Sequence, residues 1–405
     1  MQINTLTLTN FRGFEQAEFQ FQPGINLIVG INGVGKSTVL DALCIALSRV
    51  LPEFTVCEEK HLKFTANDIR IGHDKLAVKI NFYVSEIPFQ CNVVSNIKSN
   101  AFELKPNSYQ ILDPIKMSQN QPIVVYFATR RSILTEGKTI NPNRTSGTQS
   151  AAFADALIPR MLRLREFTDW WLVQEELLRE NHPLAQRRLN ALNNAVTGFL
   201  DWCNDVRVVR LSEKSQKTTL QLDKNGVTLN INQLSDGERG ILALILDLVQ
   251  RLLQANPDLT DPLQDGKALV LIDELDLHLH PRWQRIVVHK LTNIFPNCQF
   301  IATTHSPQII GEVAPENVII LEPDEPPYIP DQSLGMDSNW ILRFLMETPE
   351  RDINTQTTLE KIESLIDQRN FPEATEQINS LRELGDFPEL VRLQTRIDRI
   401  SLLGK

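Results

Sequence analysis

Nine consecutive residues, Gly30-Ile31-Asn32-Gly33-Val34-Gly35-Lys36-Ser37-Thr38, have the types and spacing to hold a phosphate chain. Gly33 and Gly35 let the backbone curl until its N–H groups face a β-phosphate, at the positive end of the helix that follows. Lys36 would reach the β- and γ-phosphates and the Ser37 hydroxyl would ligate Mg²⁺, with Asn32, Val34 and Thr38 completing the loop. The bland alternative is a glycine-rich turn, but an apolar strand before it and a helix after it argue for phosphate. Far along the chain, Asp273 and Glu274 close the apolar run Ala268 to Ile272. That puts them at the carboxyl end of a buried strand, where open α/β sheets place ligands. Asp273 would hold Mg²⁺ through water, and Glu274 would orient and deprotonate an attacking water. Carboxylates in such a place are too costly to leave without a task. Ser235 and Glu238 read as a capping box at a helix start, and His305 ends another apolar run in Ala302-Thr303-Thr304-His305-Ser306.

The elements that must position these groups are legible in outline. Leu6 and Leu8 alternate with threonines, Phe19 and Phe21 alternate with glutamines, and Ile25 to Val29 is a short apolar strand. Val39, Leu40, Leu43 and Leu47 mark the helix after the phosphate loop. Lys75 to Val84 and Pro122 to Thr129 are further strands; the stretch between them has no clear pattern. Leu157, Leu164, Trp171 and Leu178 recur at seven-residue steps, with Met161 and Phe167 beside them, which predicts an amphipathic helix. Asn181-His182-Pro183 breaks it, and Leu189, Leu192, Val196 and Phe199 predict a second. Asn225-Gly226 predicts a type I′ hairpin turn. Leu242, Ile245, Leu246, Val249 and Leu253 predict the helix that Ser235 starts, ended by Asn256-Pro257. Phe300 to Thr303 and Val318 to Leu321 read, like Ala268 to Ile272, as buried parallel strands. Pro323, Pro326, Pro327 and Pro330 read as a linker to a set of short helices, and no internal repeat stands out.

Composition limits what such a machine could be. The chain has 405 residues, enough for two or three domains with a sizeable core. No apolar run approaches the roughly 20 residues that cross a bilayer, the start lacks a signal-peptide layout, and five scattered cysteines suggest reduced thiols. The expectation is a cytoplasmic protein with no membrane partner. A net charge of −9 argues against a broadly basic nucleic-acid surface. Arg160, Arg163, Arg165, Arg187 and Arg188 could meet a phosphate backbone but fit solvated helix faces better, and His278-x-His280 is not read as a zinc site.

The phosphate loop, Leu234-Ser235-Asp236-Gly237-Glu238, Val270-Leu271-Ile272-Asp273-Glu274-Leu275-Asp276 and Thr303-Thr304-His305-Ser306, in this order, resemble the ABC-type ATPase head of RecF, SMC and Rad50 proteins. The resemblance implies an α/β fold with a mixed sheet, an antiparallel N-terminal β part, a short helical insertion and a C-terminal α-helical tail. The expected divisions are an N-terminal lobe over 1–150, the insertion over 151–205, a C-terminal lobe over 206–325 and a tail over 332–405. It also implies that Ser235 and Gly237 grip the ATP held by another subunit's phosphate loop, so that the working unit is a head-to-head dimer. Asp276 would face that interface, His305 would sense the γ-phosphate, and Asn10 and Arg12 of Asn10-Phe11-Arg12-Gly13-Phe14 would contact nucleotide. A Q-loop residue is not placed: Gln121, Arg130 and Arg131 are the candidates. The spacing of about two hundred residues between Lys36 and Ser235 disfavours a transporter subunit, and the helical tail lacks the acidic cluster of an OLD-type nuclease. Tyr126-Phe127-Ala128-Thr129-Arg130-Arg131 and the tail from Gly335-Met336-Asp337-Ser338 are similar to the ATPase family of Septu and retron anti-phage systems. That family implies a separate HNH nuclease as partner, with nucleic acid met through the complex. The other function class is a RecF-like repair ATPase that clamps DNA by itself.

Overall fold

In the computed structural model the described residues are 1–58, 61–96, 99–132, 134–135, 149–159, 162–212, 215–348, 351–385 and 388–403, with only the backbone described at 132, 134–135, 162–163, 211–212, 215–217 and 403. They form two compact units, Met1–Met336 and Asp337–Lys405. The first begins with strands β1 (Gln2–Phe11), β2 (Phe14–Gln20) and β3 (Ile25–Gly30), then helix α1 (Lys36–Phe54). Strands β4 (Lys75–Val84), β5 (Ile87–Asn96) and β6 (Asn100–Lys105), helix α2 (Tyr109–Lys116) and strand β7 (Ile123–Phe127) follow. The short strands β8 (Leu134–Thr135) and β9 (Leu162–Arg163) lead to α3 (Leu164–Arg179) and α4 (Pro183–Phe199). A three-stranded antiparallel sheet comprises β10 (Cys203–Ser212), β11 (Ser215–Lys224) and β12 (Val227–Asn230). Then come α5 (Asp236–Ala255), α6 (Pro262–Asp265), β13 (Ala268–Ile272), α7 (Pro281–Ile294), β14 (Gln299–Thr304), α8 (Pro307–Ile310) and β15 (Val318–Leu321).

Two five-stranded sheets carry the unit. One is antiparallel, in the order β2-β1-β4-β5-β6; the other runs β15-β3-β14-β13-β7 with every neighbouring pair parallel. Helix α1 packs on strands of both, so it is apolar nearly all round: Val39, Leu40, Leu43, Leu47 and Leu51 are buried in one core with Leu6, Leu8, Val78, Leu271 and Ile301. Every residue of β7, β13, β14 and β15 is buried, which is why these runs lack the alternation of a half-exposed strand. The parallel order has one consequence for function. β3, β14, β13 and β7 are consecutive, so the segments leaving their carboxyl ends, Gly30–Thr38, His305, Asp273–Asp276 and Ala128–Arg131, collect on one edge.

Several expectations change. The stretch without a pattern holds β5, β6 and α2; in β5 a polar residue, Ser95, is on the buried face and an apolar one, Val94, on the other, which blurs the strand period. The seven-residue spacing from Leu157 overstates its helix, which starts at Leu164; Leu157 lies in a turn and is buried independently, and Arg160 and Met161 lie outside the described residues. The proline stretch is no free linker. Tyr328 exchanges backbone hydrogen bonds with Ile320 at 2.8 and 3.2 Å, and buried Ser333 donates to Val313 O at 2.6 Å, so the unit closes only at Met336. The second unit contains α9 (Ser338–Phe344), α10 (Ile353–Asp367), α11 (Phe371–Leu384) and α12 (Pro388–Leu403). Its core joins Ile362, Ile366, Ala374, Ile378, Leu381, Leu390, Leu393 and Ile397. A short repeat is present after all: Phe371-Pro372-Glu373 recurs as Phe387-Pro388-Glu389, putting a proline and an acid into the first turn of both α11 and α12.

Candidate active site

Helix α1 begins at Lys36 with no side-chain cap, leaving its first amides for another acceptor. This is the cradle that an anion at a helix N-terminus requires. Gly35 has φ +106°, and a Cβ there would come within 2.7 Å of the Phe14 ring, so the loop closes over β2 only with glycine. Gly33 has φ +88°. Lys36 Nζ donates to Gly30 O at 2.9 Å and Ile31 O at 2.8 Å. Burial lowers the pKa of its ammonium, and Asp273, Glu274 and Asp276 pull it the other way, leaving it below its ordinary value. Asn32 and Gly33 are exposed, while Val34 packs on the core.

The acids meet this loop across the sheet edge. Ser37 Oγ donates to the Asp273 carboxylate, 3.0 and 3.1 Å from its two oxygens, over 236 residues of sequence. Thr303 at the end of β14 joins the same knot. Its Oγ1 donates to Asp273 Oδ1 at 2.8 Å and accepts the Glu274 amide at 2.7 Å. Two neighbouring strands are thereby tied at the point where chemistry is expected. Glu274 has φ +50°, a left-handed conformation that costs a non-glycine residue about 1–3 kcal/mol. Asp276 turns back to its own chain: its Oδ1 accepts Thr304 Oγ1 at 2.6 Å and the His305 amide at 3.1 Å. Burial first, and the Lys36 charge second, lower the His305 pKa, so the imidazole is held neutral near pH 7.

Arg12 sits at φ +49° and binds two carboxylates, Asp68 Oδ1 at 2.9 Å and Asp41 Oδ2 at 2.6 Å, and reaches Thr38 Oγ1 at 3.5 Å. Burial would lower its pKa, but Asp41 and Asp68 outweigh burial and hold it above its ordinary value. The residue that resemblance gives to nucleotide contact thus fastens the β1–β2 turn to α1. Asn10 supports that turn, at φ +51° and with its carbonyl accepting the Arg70 amide at 2.9 Å.

Ser235 and Glu238 form the expected cap: Ser235 Oγ accepts the Glu238 amide at 3.3 Å, and Glu238 Oε2 accepts the Ser235 amide at 3.0 Å. Glu238 does more than cap. Its Oε1 accepts Lys224 Nζ at 2.7 Å, and that ammonium lies 4.5 Å from the centre of the Trp202 ring. Gly237 is required by packing, since a Cβ would lie 2.3 Å from His278 O. A cavity of about 720 Å³ opens beside Ser235, Gly237 and Glu238, walled by Leu200, His278 and Trp283.

The Q-loop candidates separate. Gln121 lies at the amino end of β7, away from this edge, with its amide buried on Val56 N, Lys116 O and Ser118 O. Arg131 is buried at the carboxyl end and donates to the carbonyls of Asp273 and Glu274 at 2.7 and 2.6 Å. Arg187 and Arg188 contact Leu259 O at 3.5 Å and Gln174 Oε1 at 3.1 Å. Among the described residues no cluster of His, Cys, Asp and Glu has the makings of a metal cage, and neither His278 nor His280 belongs to one.

Strand order, an uncapped helix over a glycine loop and carboxylates tied to its serine are the marks of a P-loop nucleotide site, and with the antiparallel sheet against α1 they give the unit an α/β fold like the heads of RecF and SMC proteins. The family model "AAA domain" matches residues 5–166, and "AAA domain, putative AbiEii toxin, Type IV TA system" matches residues 139–311. The chain is similar to the retron Ec83 probable ATPase of Escherichia coli, at 25% identity over 87% of this chain and 77% of that protein. It is also similar to the Septu protein PtuA of Bacillus thuringiensis, at 26% identity over 80% of this chain and 76% of that one. A local match of 43 residues, 11% of this chain, is 54% identical to RecF of Magnetococcus marinus. Among solved structures, an SMC head bound to the C-winged helix domain of ScpA aligns over 82% of this chain and 98% of that chain, with 14% identity and a TM-score of 0.49. Among the described residues no helix is long and apolar enough to cross a membrane.

Proposed function

We propose that the chain hydrolyses ATP at a site completed by a second copy, and that nucleotide occupancy governs a partner nuclease in an anti-phage complex. The observation that carries the catalytic part is the knot of Ser37, Asp273, Thr303 and the Glu274 amide. The hydroxyl of Ser37 and the carboxylate of Asp273 are hard oxygens converging on one point, a pair that suits Mg²⁺, an ion that keeps waters and phosphate oxygens for its other positions. Bound there, Mg²⁺ would neutralise charge developing on the β- and γ-phosphates. The uncapped amides of α1 receive the β-phosphate and Lys36 leaves its loop carbonyls for the β,γ-bridge. Glu274, fixed through its amide, orients water in line with the γ-phosphorus and takes its proton. Neutral His305 donates a ring N–H to a γ-phosphate oxygen without adding charge.

The similarity to retron and Septu ATPases supports a regulated partner, an HNH nuclease, with Ser235 and Gly237 closing on the ATP of the opposite copy. Nucleotide can shift such a complex only through its differential affinity for the restrained and active states. Lys36→Ala and Glu274→Gln therefore separate: the first cannot hold the ATP state and the second is trapped in it. Each is co-expressed with the neighbouring gene product, and DNA and RNA cleavage is followed across ATP concentrations. Cleavage indifferent to ATP and to both substitutions defeats the regulatory reading. Tight, salt-sensitive, ATP-dependent DNA binding by the purified chain alone favours a RecF-like clamp instead.

A further inference from the structure

Arg131 is 4% exposed, and its guanidinium grips three consecutive backbone carbonyls: Nη1 donates to Asp273 O at 2.7 Å, and Nη2 donates to Glu274 O at 2.6 Å and Leu275 O at 3.4 Å. Burial lowers its pKa to about 10, against the pull of Asp276, Asp273 and Glu274. A buried guanidinium is expensive, and its planar fork suits several fixed acceptors at once. Those acceptors are consecutive carbonyls centred on a residue that the chain holds at φ +50°. The strand order explains how it gets there, because β7 is hydrogen-bonded to β13 with Phe127 opposite Ile272. Arg131 follows the one strand as Asp273 to Leu275 follow the other.

We propose that Arg131 is a positioning residue for hydrolysis, clamping the Asp273–Leu275 backbone so that Glu274 stays in its left-handed conformation and presents its carboxylate to the attacking water. The role rests on the reading of Glu274 as general base. It requires Arg131 to act on turnover and not on nucleotide capture, because the groups that hold phosphate, Lys36 and the α1 amides, are not among its partners.

The test uses the full-length chain with Arg131→Lys, Arg131→Met and Glu274→Gly. Arg131→Met is expected to lower kcat about 10²-fold while the Kd for ATP stays within about threefold. Arg131→Lys, which keeps the charge and loses the fork, should recover part of that loss. The readout independent of activity is a thermal-unfolding cycle. Arg131→Met should lower Tm by several degrees in the parent. The same substitution in the Glu274→Gly background should lower it much less, because glycine adopts positive φ without the clamp. An equal Tm loss in both backgrounds, or ATP affinity falling in parallel with kcat, overturns the role. Wild-type kcat in Arg131→Met overturns it too, and a Glu274→Gln variant measured alongside shows whether the base assignment has failed as well.

Discussion

At the scale of single residues, the site consists of side chains that each answer to a partner far away in sequence. On the proposed reading of Glu274 as general base, Glu274→Gln removes the proton acceptor but leaves the backbone bonds to Thr303 and Arg131 available. ATP binding should survive while hydrolysis falls about 10²–10⁴-fold, measured as phosphate release against nucleotide affinity. His305 gives a pH signature. Its folded pKa lies below the ordinary 6.5, chiefly through burial, so the unfolded chain takes up a proton more readily than the fold does. Its contribution to stability is therefore intact above about pH 6.5 and is lost as the pH falls below it. The groups facing it are Lys36, Asp276, Glu274 and Asp273. Denaturant midpoints compared at pH 5.5 and 7.5 should differ less in His305→Asn than in the parent.

At the scale of elements, Glu238 has a structural use beyond the cap. Glu238 ends a chain of contacts from Trp202 at the foot of the helical insertion, through Lys224 on β11, to the Ser235 cap of α5. Glutamine at 238 would keep the cap and lose the ion pair. Since Lys224 is about one-third exposed, Glu238→Gln should cost only about 0.2–1 kcal/mol. Glu238→Ala loses cap and pair together and should cost about 0.5–2 kcal/mol. Equal unfolding free energies for the two variants would falsify the double role of this carboxylate. Deeper in α5, Arg251 and Asp247 form a buried pair at 2.8 Å, and Arg251 also donates to Ala154 O at 3.1 Å, fastening the buried segment around Ala154 to the helix. Arg251→Met removes the guanidinium paired with buried Asp247 and should cost about 3–5 kcal/mol in urea unfolding.

At the scale of the whole molecule, a shared active site predicts complementation. Ser235→Arg and Lys36→Ala should each be inactive alone, but an equimolar mixture should regain part of the ATPase activity, because one site in the mixed dimer is intact. No recovery on mixing would remove the shared site. The boundary at Met336 also changes where a truncation belongs. A chain ending at Pro330 would lose Ser333, whose hydroxyl holds Val313, and Gly335, whose amide donates to Gly311 O at 2.8 Å. Ending at Met336 should preserve ATP binding, while light scattering and partner pull-down report whether the helical tail serves assembly.

The sequence by itself determined the phosphate loop, the acids, the capping box, the hairpin turn at Asn225-Gly226 and the buried parallel strands. Each is written in local spacing: glycines ahead of Lys36, a pair of acids after five apolar residues, a serine three before a glutamate. Local pattern failed where burial came from another element. Leu157 kept a helical spacing outside any helix because the core covers it regardless, and the proline stretch looked like a linker because its pairing partner, Ile320, is in the preceding strand. Arg12 and Arg131 show the same limit at the site. Both read as candidate nucleotide contacts, yet Arg12 is held by Asp41 and Asp68, and Arg131 grips the backbone carbonyls of Asp273 and Glu274. Only the order of strands β3, β14, β13 and β7 brings those partners together, because an arginine's role follows from which carbonyls and carboxylates surround it, and a sequence does not record that neighbourhood.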